Sequence, residues 1–168
     1  MFAHITAAKL ESAIRRAGLG RVRREMSGAR LRRQAVFCFP VLESHTLTHQ
    51  WTREVLKWRR QPLIAVYFRV PDNEPVLCGR FANPACAISA AEAVRVIRNH
   101  IEDPRGFEVI VQRAVAPREI HRIAPVRGVI GWRHYPDAHG CKPCGCPYCQ
   151  RGEPNSRKLR QRYEAGEI

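Results

Sequence analysis

The sequence has few acidic residues and no long apolar run. Asp and Glu total 15 among 168 residues, against 29 Lys and Arg, so the formal net charge is +14. No apolar stretch approaches the roughly 20 residues that cross a bilayer, and residues 1–6 lack the charged and apolar regions of a signal peptide. A Gly-rich phosphate loop, a dinucleotide fingerprint and internal repeats are also missing. These absences predict a cytoplasmic protein that has no membrane partner and does not bind nucleotides through a P-loop or Rossmann motif.

The size and hydrophobic content of the chain are those of a folded domain. Hydrophobic residues make up 45% of the sequence, which is enough for a core and unlike a disordered basic tail. We predict an α+β domain over residues 1–135 and a small region over residues 136–168 that combines a cysteine-rich loop with a basic helix. Arginines cluster in residues 21–33 and again in residues 151–162. This clustering favours a nucleic-acid partner, although an arginine-rich composition without a specific partner gives the same charge.

Hydrophobic periodicity and turn residues predict alternating strands and helices. The predicted strands cover residues 2–6, 35–39, 62–70, 75–79, 106–113 and 126–132, with 62–70 central and 75–79 its hairpin partner. The predicted helices cover residues 7–17, 46–59, 89–101 and 156–164, with a helical turn at 117–120. Gly18 occupies a helix C-cap position, and Ser89 with Glu92 forms a capping-box pattern.

Four of the seven cysteines lie close together near the C-terminal end of the sequence. Cys141, Cys144, Cys146 and Cys149 form two Cys-x-x-Cys units, which is the ligand pattern of structural zinc sites. The units are close together for one metal ion, so His139 competes with Cys141 and Cys149 for a ligand position. A redox dithiol would be expected after an early strand, and a disulfide pair would suit an exported protein. The sequence therefore predicts a structural zinc site.

Three segments, taken in order, carry a resemblance to a known fold. His-Ile-Thr at residues 4–6 opens a strand and is followed by a helix that ends in Gly-Leu at 18–19. Ala-Val-Phe-Cys-Phe at residues 35–39 is an aromatic strand leading into a helix, and Gly-Phe-Glu-Val-Ile-Val at 106–111 precedes a turn before Ile120. Together these segments resemble the ADP-ribosyltransferase fold of poly(ADP-ribose) polymerases, DNA-modifying toxins and RNA 2′-phosphotransferases. The resemblance extends over roughly residues 2–123.

The resemblance implies a mainly antiparallel, split sheet with flanking helices and an NAD-dependent ADP-ribosyltransferase activity. Glu108 would be the catalytic carboxylate, because it would stabilise the positive charge that develops when the bond between ribose and nicotinamide breaks. His4 would bind the adenosine ribose, Thr6 would lie near the nicotinamide amide, and Phe37 would stack on the nicotinamide ring. An arginine within residues 21–33 would pair with the pyrophosphate.

Two other functions remain open from the sequence. One is a non-enzymatic, zinc-containing nucleic-acid-binding protein in which Glu108 is only an exposed strand residue. The other, within the same fold family, is transfer of an RNA 2′-phosphate to NAD, which needs basic groups around the phosphate and no essential carboxylate. Release of nicotinamide from NAD separates the transferase from the binding protein.

Overall fold

The fold is known from a computed structural model that describes residues 1–20, 35–58, 61–81, 83–100, 104–126, 131–132 and 156–167. Within these residues seven strands form one antiparallel sheet, in the order β5-β4-β6-β2-β1-β3-β7. The strands are β1 (Phe2–Ala7), β2 (Val36–Pro40), β3 (Leu63–Phe68), β4 (Pro75–Arg80), β5 (Cys86–Ser89), β6 (Phe107–Val111) and β7 (Ile120–Val126). The helices are α1 (Glu11–Ala17), α2 (His45–Thr48), α3 (Thr52–Trp58), α4 (Ala90–Asn99) and α5 (Ser156–Glu164), with single 3-10 turns at Ala8–Leu10 and Pro117–Glu119. The expected α+β class is confirmed.

The main core lies on one face of the sheet. Every residue of β3 is buried, because β1 and β7 flank it and both of its faces are covered. Helix α4 contributes Ala90, Ala93 and Ile97 to this core, at the spacing of one helical face. Full burial of a side chain such as Ile97 contributes about 1.5–3 kcal/mol. The other face carries a smaller cluster around Ala3, Ala65 and Tyr67.

Local capping predictions agree with the structure. Gly18 ends α1 with φ 78°, and a Cβ atom at this position would lie 2.0 Å from the carbonyl oxygen of Val115. The Ser89 side chain accepts a hydrogen bond from the Glu92 N–H at 3.2 Å and so caps α4. Both residues therefore occupy the helix-end positions that the sequence predicted, and the close approach of Val115, which is distant in the chain, also favours glycine at position 18.

The single helix predicted over residues 46–59 is wrong, because the chain forms α2 and α3 with an interruption between them. His49 leaves the helical region at φ −107° and ψ 20°. The carbonyl oxygen of Gln50 accepts a hydrogen bond from the Trp132 N–H at 2.9 Å. A tertiary hydrogen bond therefore uses a main-chain group that a continuous helix would have needed.

The predicted hairpin between residues 62–70 and 75–79 is also wrong. Strand β4 pairs with β5 and β6, whereas β3 pairs with β1 and β7. The turn between β3 and β4 instead binds the start of α4, since the oxygens of Asp72 and Glu74 accept from the N–H groups of Ala91 and Ala90. This turn carries the chain toward the opposite end of the sheet.

Among the described residues, the last strand is β7, and residues 127–130 of the strand predicted at 126–132 lie outside the described residues. Strand β7 ends at Val126, where the predicted strand begins, and it contains Pro125. Proline is tolerated there because β7 is an edge strand. Strand β5 was not predicted, since it has four residues and two of them are exposed. The helix predicted at residues 156–164 is confirmed as α5.

A charge cluster joins β6 to the segments beside it. Arg113 pairs with Glu74 at 2.8 Å and with Glu119 at 2.7 Å, both carboxylates being largely buried. Glu119 also accepts a hydrogen bond from the Ala116 N–H at 2.8 Å. The Arg113 guanidinium, bound directly to it, holds the pKa of the Glu119 carboxyl below its usual value. This cluster is a structural one, because it connects the segment after β6 to the residue before β4 and to the 3-10 turn before β7.

Candidate functional site

Strands β1 and β2 separate in the middle of the sheet. They pair only at Phe2 with Pro40 and at Ala3 with Phe39, whereas β1 pairs with β3 along its whole length. Beyond Ala3, the described part of β2 pairs with β6 and no longer with β1. The sheet is therefore continuous at one end of these strands and open at the other.

His4 lies where the two strands separate. Its Nδ1 atom lies 2.7 Å from the carbonyl oxygen of Phe37, so His4 spans the beginning of the opening. A carbonyl oxygen can only accept, so Nδ1 carries a proton and donates this hydrogen bond. The residue is half-buried. The structure thus connects His4 with Phe37 through the main chain of Phe37.

Phe37 and Glu108 lie on the same face of neighbouring strands. Phe37 pairs with Ile110, and Glu108 is two residues from Ile110 along β6. Diagonal neighbours of this kind have Cα atoms about 7–8 Å apart. Both residues are half-buried. Glu108 is therefore not a fully exposed strand residue.

Glu108 faces a glycine on its other side. It pairs with Gly79 of β4, where a Cβ atom would lie 2.9 Å from Cα of Ala85. The chain entering β5 passes against the sheet at this position, beside Glu108. A side chain at residue 79 would displace that segment.

The order of the strands determines how His4 and Glu108 are related. Phe39 pairs with Ala3 of β1, and extending the pairing of β2 with β6 by one residue places Phe39 opposite Glu108. Glu108 is therefore in the same row of the sheet as Ala3, one row from His4. Two strand spacings separate them, so their Cα atoms are about 10 Å apart. The pleat directs His4 toward the main core and Glu108 toward the opposite face. The two side chains therefore lie on opposite faces of the sheet, and Glu108 is in a row where β1 and β2 are still paired, one row from the opening.

Thr6 lies farther along β1, where β1 no longer pairs with β2. Only 6% of the residue is exposed, and it pairs with Ile64 of β3. Little of its side chain is accessible, so its predicted contact with NAD would involve the main chain of β1. That contact remains a prediction.

Gln50 is a structurally important residue that the sequence analysis did not single out. Its Oε1 atom accepts from the Gly106 N–H at 2.6 Å, and its Nε2 atom donates to the Pro104 oxygen at 3.3 Å. Gln50 is 1% exposed, and Gly106 adopts φ 79°. These bonds fix the turn immediately before β6, two residues from Glu108. A glutamine inside an amphipathic helical pattern carries no sequence signal for this role.

An aromatic cluster, formed by Trp51, Phe81 and Trp132, lies beside the same turn. The ring centroids are 5.0 Å apart for Trp51 and Trp132, 5.6 Å for Trp51 and Phe81, and 6.1 Å for Phe81 and Trp132. Nε1 of Trp51 donates to the Phe107 oxygen at 2.9 Å, which joins the cluster to the peptide group before Glu108. Phe81 is 41% exposed. Its exposed ring is an apolar surface close to the predicted catalytic residue.

Basic and aromatic groups surround Phe107 near this cluster. The Arg80 guanidinium carbon lies 5.0 Å from the centroid of the Phe107 ring, and the His100 ring is 5.0 Å from the same ring. Arg105 is exposed in the turn before β6. This end of the sheet therefore combines an exposed aromatic ring with positive charge.

A second histidine lies elsewhere and is part of the packing. His49 accepts a hydrogen bond at Nε2 from the Tyr67 hydroxyl at 2.6 Å, while its Nδ1 donates to the His45 oxygen at 2.8 Å. Burial lowers the pKa of His49, which keeps the ring neutral in this arrangement. Tyr67 belongs to the smaller core cluster, so this hydrogen bond connects His49 to that cluster.

The predicted zinc ligands lie outside the described residues, as does the arginine-rich segment 21–33. Within the described part of the chain, no group of three or more His, Cys, Asp or Glu residues could hold a metal ion. No described helix is both long and apolar enough to span a bilayer. The zinc site and the pyrophosphate-binding arginine therefore remain predictions from the sequence.

Comparison of the chain with protein-family models, with curated proteins and with solved structures found no match.

Proposed function

We propose that the protein is an NAD-dependent ADP-ribosyltransferase whose site lies at the opening between β1 and β2. The observation that carries this proposal is the His4–Phe37 hydrogen bond at the point where β1 and β2 separate, with Glu108 on β6, the strand next to β2. Three residues that are far apart in sequence thus lie on three adjacent strands. They are the three residues to which the resemblance assigns the catalytic, ribose-binding and nicotinamide-stacking roles.

Each of these residues has a role that follows from its chemistry. The carboxylate of Glu108 stabilises the positive charge on the ribose as the bond to nicotinamide breaks. The half-buried ring of Phe37 offers a flat face for the nicotinamide ring. His4 is held by the Phe37 main chain, and its ring lies at the start of the opening, where it would hydrogen-bond a ribose hydroxyl.

We propose nucleic acid as the acceptor of the ADP-ribosyl group. The net charge of +14 favours binding of a polyanion. The aromatic cluster supports the same partner, because bases stack on exposed aromatic rings. Trp51 of the cluster is hydrogen-bonded to the peptide group before Glu108, so a stacked base would lie near the reacting ribose.

The test is release of nicotinamide from NAD by the purified protein, with and without an oligonucleotide. We expect Glu108→Gln to reduce kcat by a factor of about 100 or more, because loss of one stabilising group at the transition state has effects of that size. The effect on the KM for NAD should be smaller, since the charge is needed only as the bond breaks. His4→Ala should instead raise the KM.

Glu43→Gln is the matched control, because Glu43 is an exposed carboxylate outside the site. Both variants should melt at the wild-type temperature. A Glu108→Gln variant that turns over NAD at the wild-type rate would remove the carboxylate from the mechanism. With retained activity toward an RNA 2′-phosphate, that result would favour the phosphotransferase alternative. Absence of NAD turnover together with oligonucleotide binding would favour the non-enzymatic binding protein.

A further inference from the structure

Three cysteines lie in one row across the sheet. Cys38 pairs with Val109, Val109 pairs with Cys78, and Cys78 pairs with Cys86. All three thiols are reduced in the structure. Directly paired residues of antiparallel strands have their side chains on the same face, so the three thiols share one face of the sheet.

The pairing of Cys78 with Cys86 has the geometry of a disulfide precursor. Directly opposed residues have Cα atoms about 4.5 or 5.5 Å apart, depending on the kind of pair, and disulfides form at about 4.4–6.8 Å. Cys38 and Cys78 are two strand spacings apart, about 10 Å, which is too far for a disulfide. Cys38 also donates its thiol proton to the Val109 oxygen at 3.3 Å. Cys78 and Cys86 can therefore form a disulfide, whereas Cys38 cannot reach either of them.

The two thiols of the pair differ in exposure. Cys86 is exposed at the start of the edge strand β5, whereas Cys78 is 5% exposed. Burial, with a contribution from the nearby Cys86, raises the pKa of the Cys78 thiol to about 11. Cys86 can therefore meet a dissolved oxidant directly, and Cys78 can react only with a neighbouring group.

We propose that Cys78 and Cys86 are an oxidisable pair that forms a reversible disulfide when the protein meets hydrogen peroxide. The Cys86 thiolate attacks one peroxide oxygen; an S–O bond forms, the O–O bond breaks and hydroxide leaves. The Cys78 thiol then loses its proton and attacks the Cys86 sulfur; the S–S bond forms and the S–O bond breaks, releasing a second hydroxide. Together with the two thiol protons, the hydroxides give two waters, so two thiols and one peroxide become one disulfide and two waters.

The disulfide would link the two strands of a hairpin beside Glu108. The connection between β4 and β5 includes Phe81, and Ala85 lies against Gly79, the residue paired with Glu108. Oxidation fixes the position of this connection. Any effect on NAD turnover rests on the proposed function, whereas formation of the disulfide does not.

The experiment treats the full-length reduced protein with hydrogen peroxide, blocks remaining thiols and identifies linked peptides after digestion with trypsin. Cleavage after Arg69, Arg80 and Arg95 places Cys78 and Cys86 in separate peptides, so their disulfide appears as a linked pair of peptides 70–80 and 81–95. We expect this pair to form and to disappear after treatment with dithiothreitol. Cys86→Ser should abolish it, and Cys38→Ala should leave it intact.

Two further readouts test the order of the steps. In Cys78→Ala, Cys86 should accumulate as sulfinic acid, because no neighbouring thiol can trap the sulfenic acid. Conversion of sulfenic acid to disulfide should accelerate about tenfold per pH unit below the pKa of Cys78, since the attacking species is the thiolate. Oxidation of Cys86 to sulfinic acid in the wild-type protein, links from Cys86 only to the four C-terminal cysteines, or no reaction of Cys86 would each overturn the proposal.

Discussion

Replacement of Gln50 by leucine tests whether a buried amide holds the turn before Glu108. Leucine has a similar volume and removes both the acceptor of the Gly106 N–H and the donor to the Pro104 oxygen. Pro104 and Gly106 are buried, so water does not readily replace either bond. The main-chain bond from Trp132 to the Gln50 oxygen remains available in the variant.

The expected loss follows from the two groups left unpaired. Each buried polar group without a partner costs about 1–3 kcal/mol, and burial of the leucine side chain offsets part of this. A net loss of about 2–4 kcal/mol in the free energy of unfolding corresponds to a decrease of about 4–16 °C in Tm for a chain of this size. Because the same turn leads into β6, the variant should also lose NAD turnover beyond its effect on stability.

Thermal unfolding followed by circular dichroism measures this loss, with Gln161→Leu as the matched control. Gln161 is exposed on α5, so its replacement should change the free energy of unfolding by no more than about 0.5 kcal/mol. NAD turnover is compared at a temperature where both variants are folded. Equal Tm values for Gln50→Leu and Gln161→Leu would refute the role assigned to the buried amide.

Three other predictions concern the metal, the partner and the response to acid. Protein purified without chelators should contain about one zinc ion per chain, because four cysteines complete a tetrahedral site; elemental analysis measures the metal content. Absence of any metal would contradict this prediction, and iron with visible absorbance would indicate an iron–sulfur cluster instead. The affinity for a fluorescent single-stranded oligonucleotide should fall steeply as salt rises, and Phe81→Ala should lower it about 5- to 150-fold. Tyr163 is also 41% exposed, and its control variant Tyr163→Ala should bind with the wild-type affinity. Equal affinities of the two variants would remove Phe81 from the interface. The lowered pKa of Glu119 means that its pairing with Arg113 stabilises the fold fully above the usual glutamate pKa of about 4.3 and is lost as the pH falls through the lowered value. The difference in Tm between wild type and Glu119→Gln should therefore decrease in acid, and a constant difference would show that the ion pair does not contribute.

Elements that depend on neighbouring residues were predictable from the sequence. Gly18 and Ser89 end and begin their helices through contacts with residues close in the chain. The alternation of side chains around Glu108 predicted strand β6 correctly, because the period of a strand can be recognised within a few successive residues. Local sequence therefore determined the type of most elements.

Elements that depend on distant partners were not predictable in the same way. The break between α2 and α3 involves a bond from Trp132, more than 80 residues away along the chain. The pairing of β4 with β6 rather than β3 follows from the turn that binds the start of α4. No periodicity within one segment contains such information.

The candidate site shows both cases. His4, Phe37 and Glu108 were singled out by residue type and order, and the structure places them on adjacent strands. Gln50 and the aromatic cluster were missed, because the atoms that Gln50 binds and the rings that meet Trp51 come from distant segments. Sequence patterns could therefore suggest the chemical groups, whereas the residues that position them required the fold.

Strand β6 connects the two parts of the proposed site, the NAD-binding residues and the aromatic cluster. The two parts differ in which of the competing functions their substitution tests. On one side β6 pairs with β2, which carries Phe37; on the other, its first residues contact the aromatic cluster through Trp51. Phe81→Ala is expected to weaken the proposed nucleic-acid binding whether or not the protein is an enzyme, so that variant cannot distinguish a transferase from a binding protein. Glu108→Gln can, because the charge of the carboxylate is needed as the bond between ribose and nicotinamide breaks, whereas it repels the phosphates of a bound nucleic acid. Removing its charge should leave oligonucleotide binding unchanged or stronger in a binding protein, and should stop NAD turnover in a transferase.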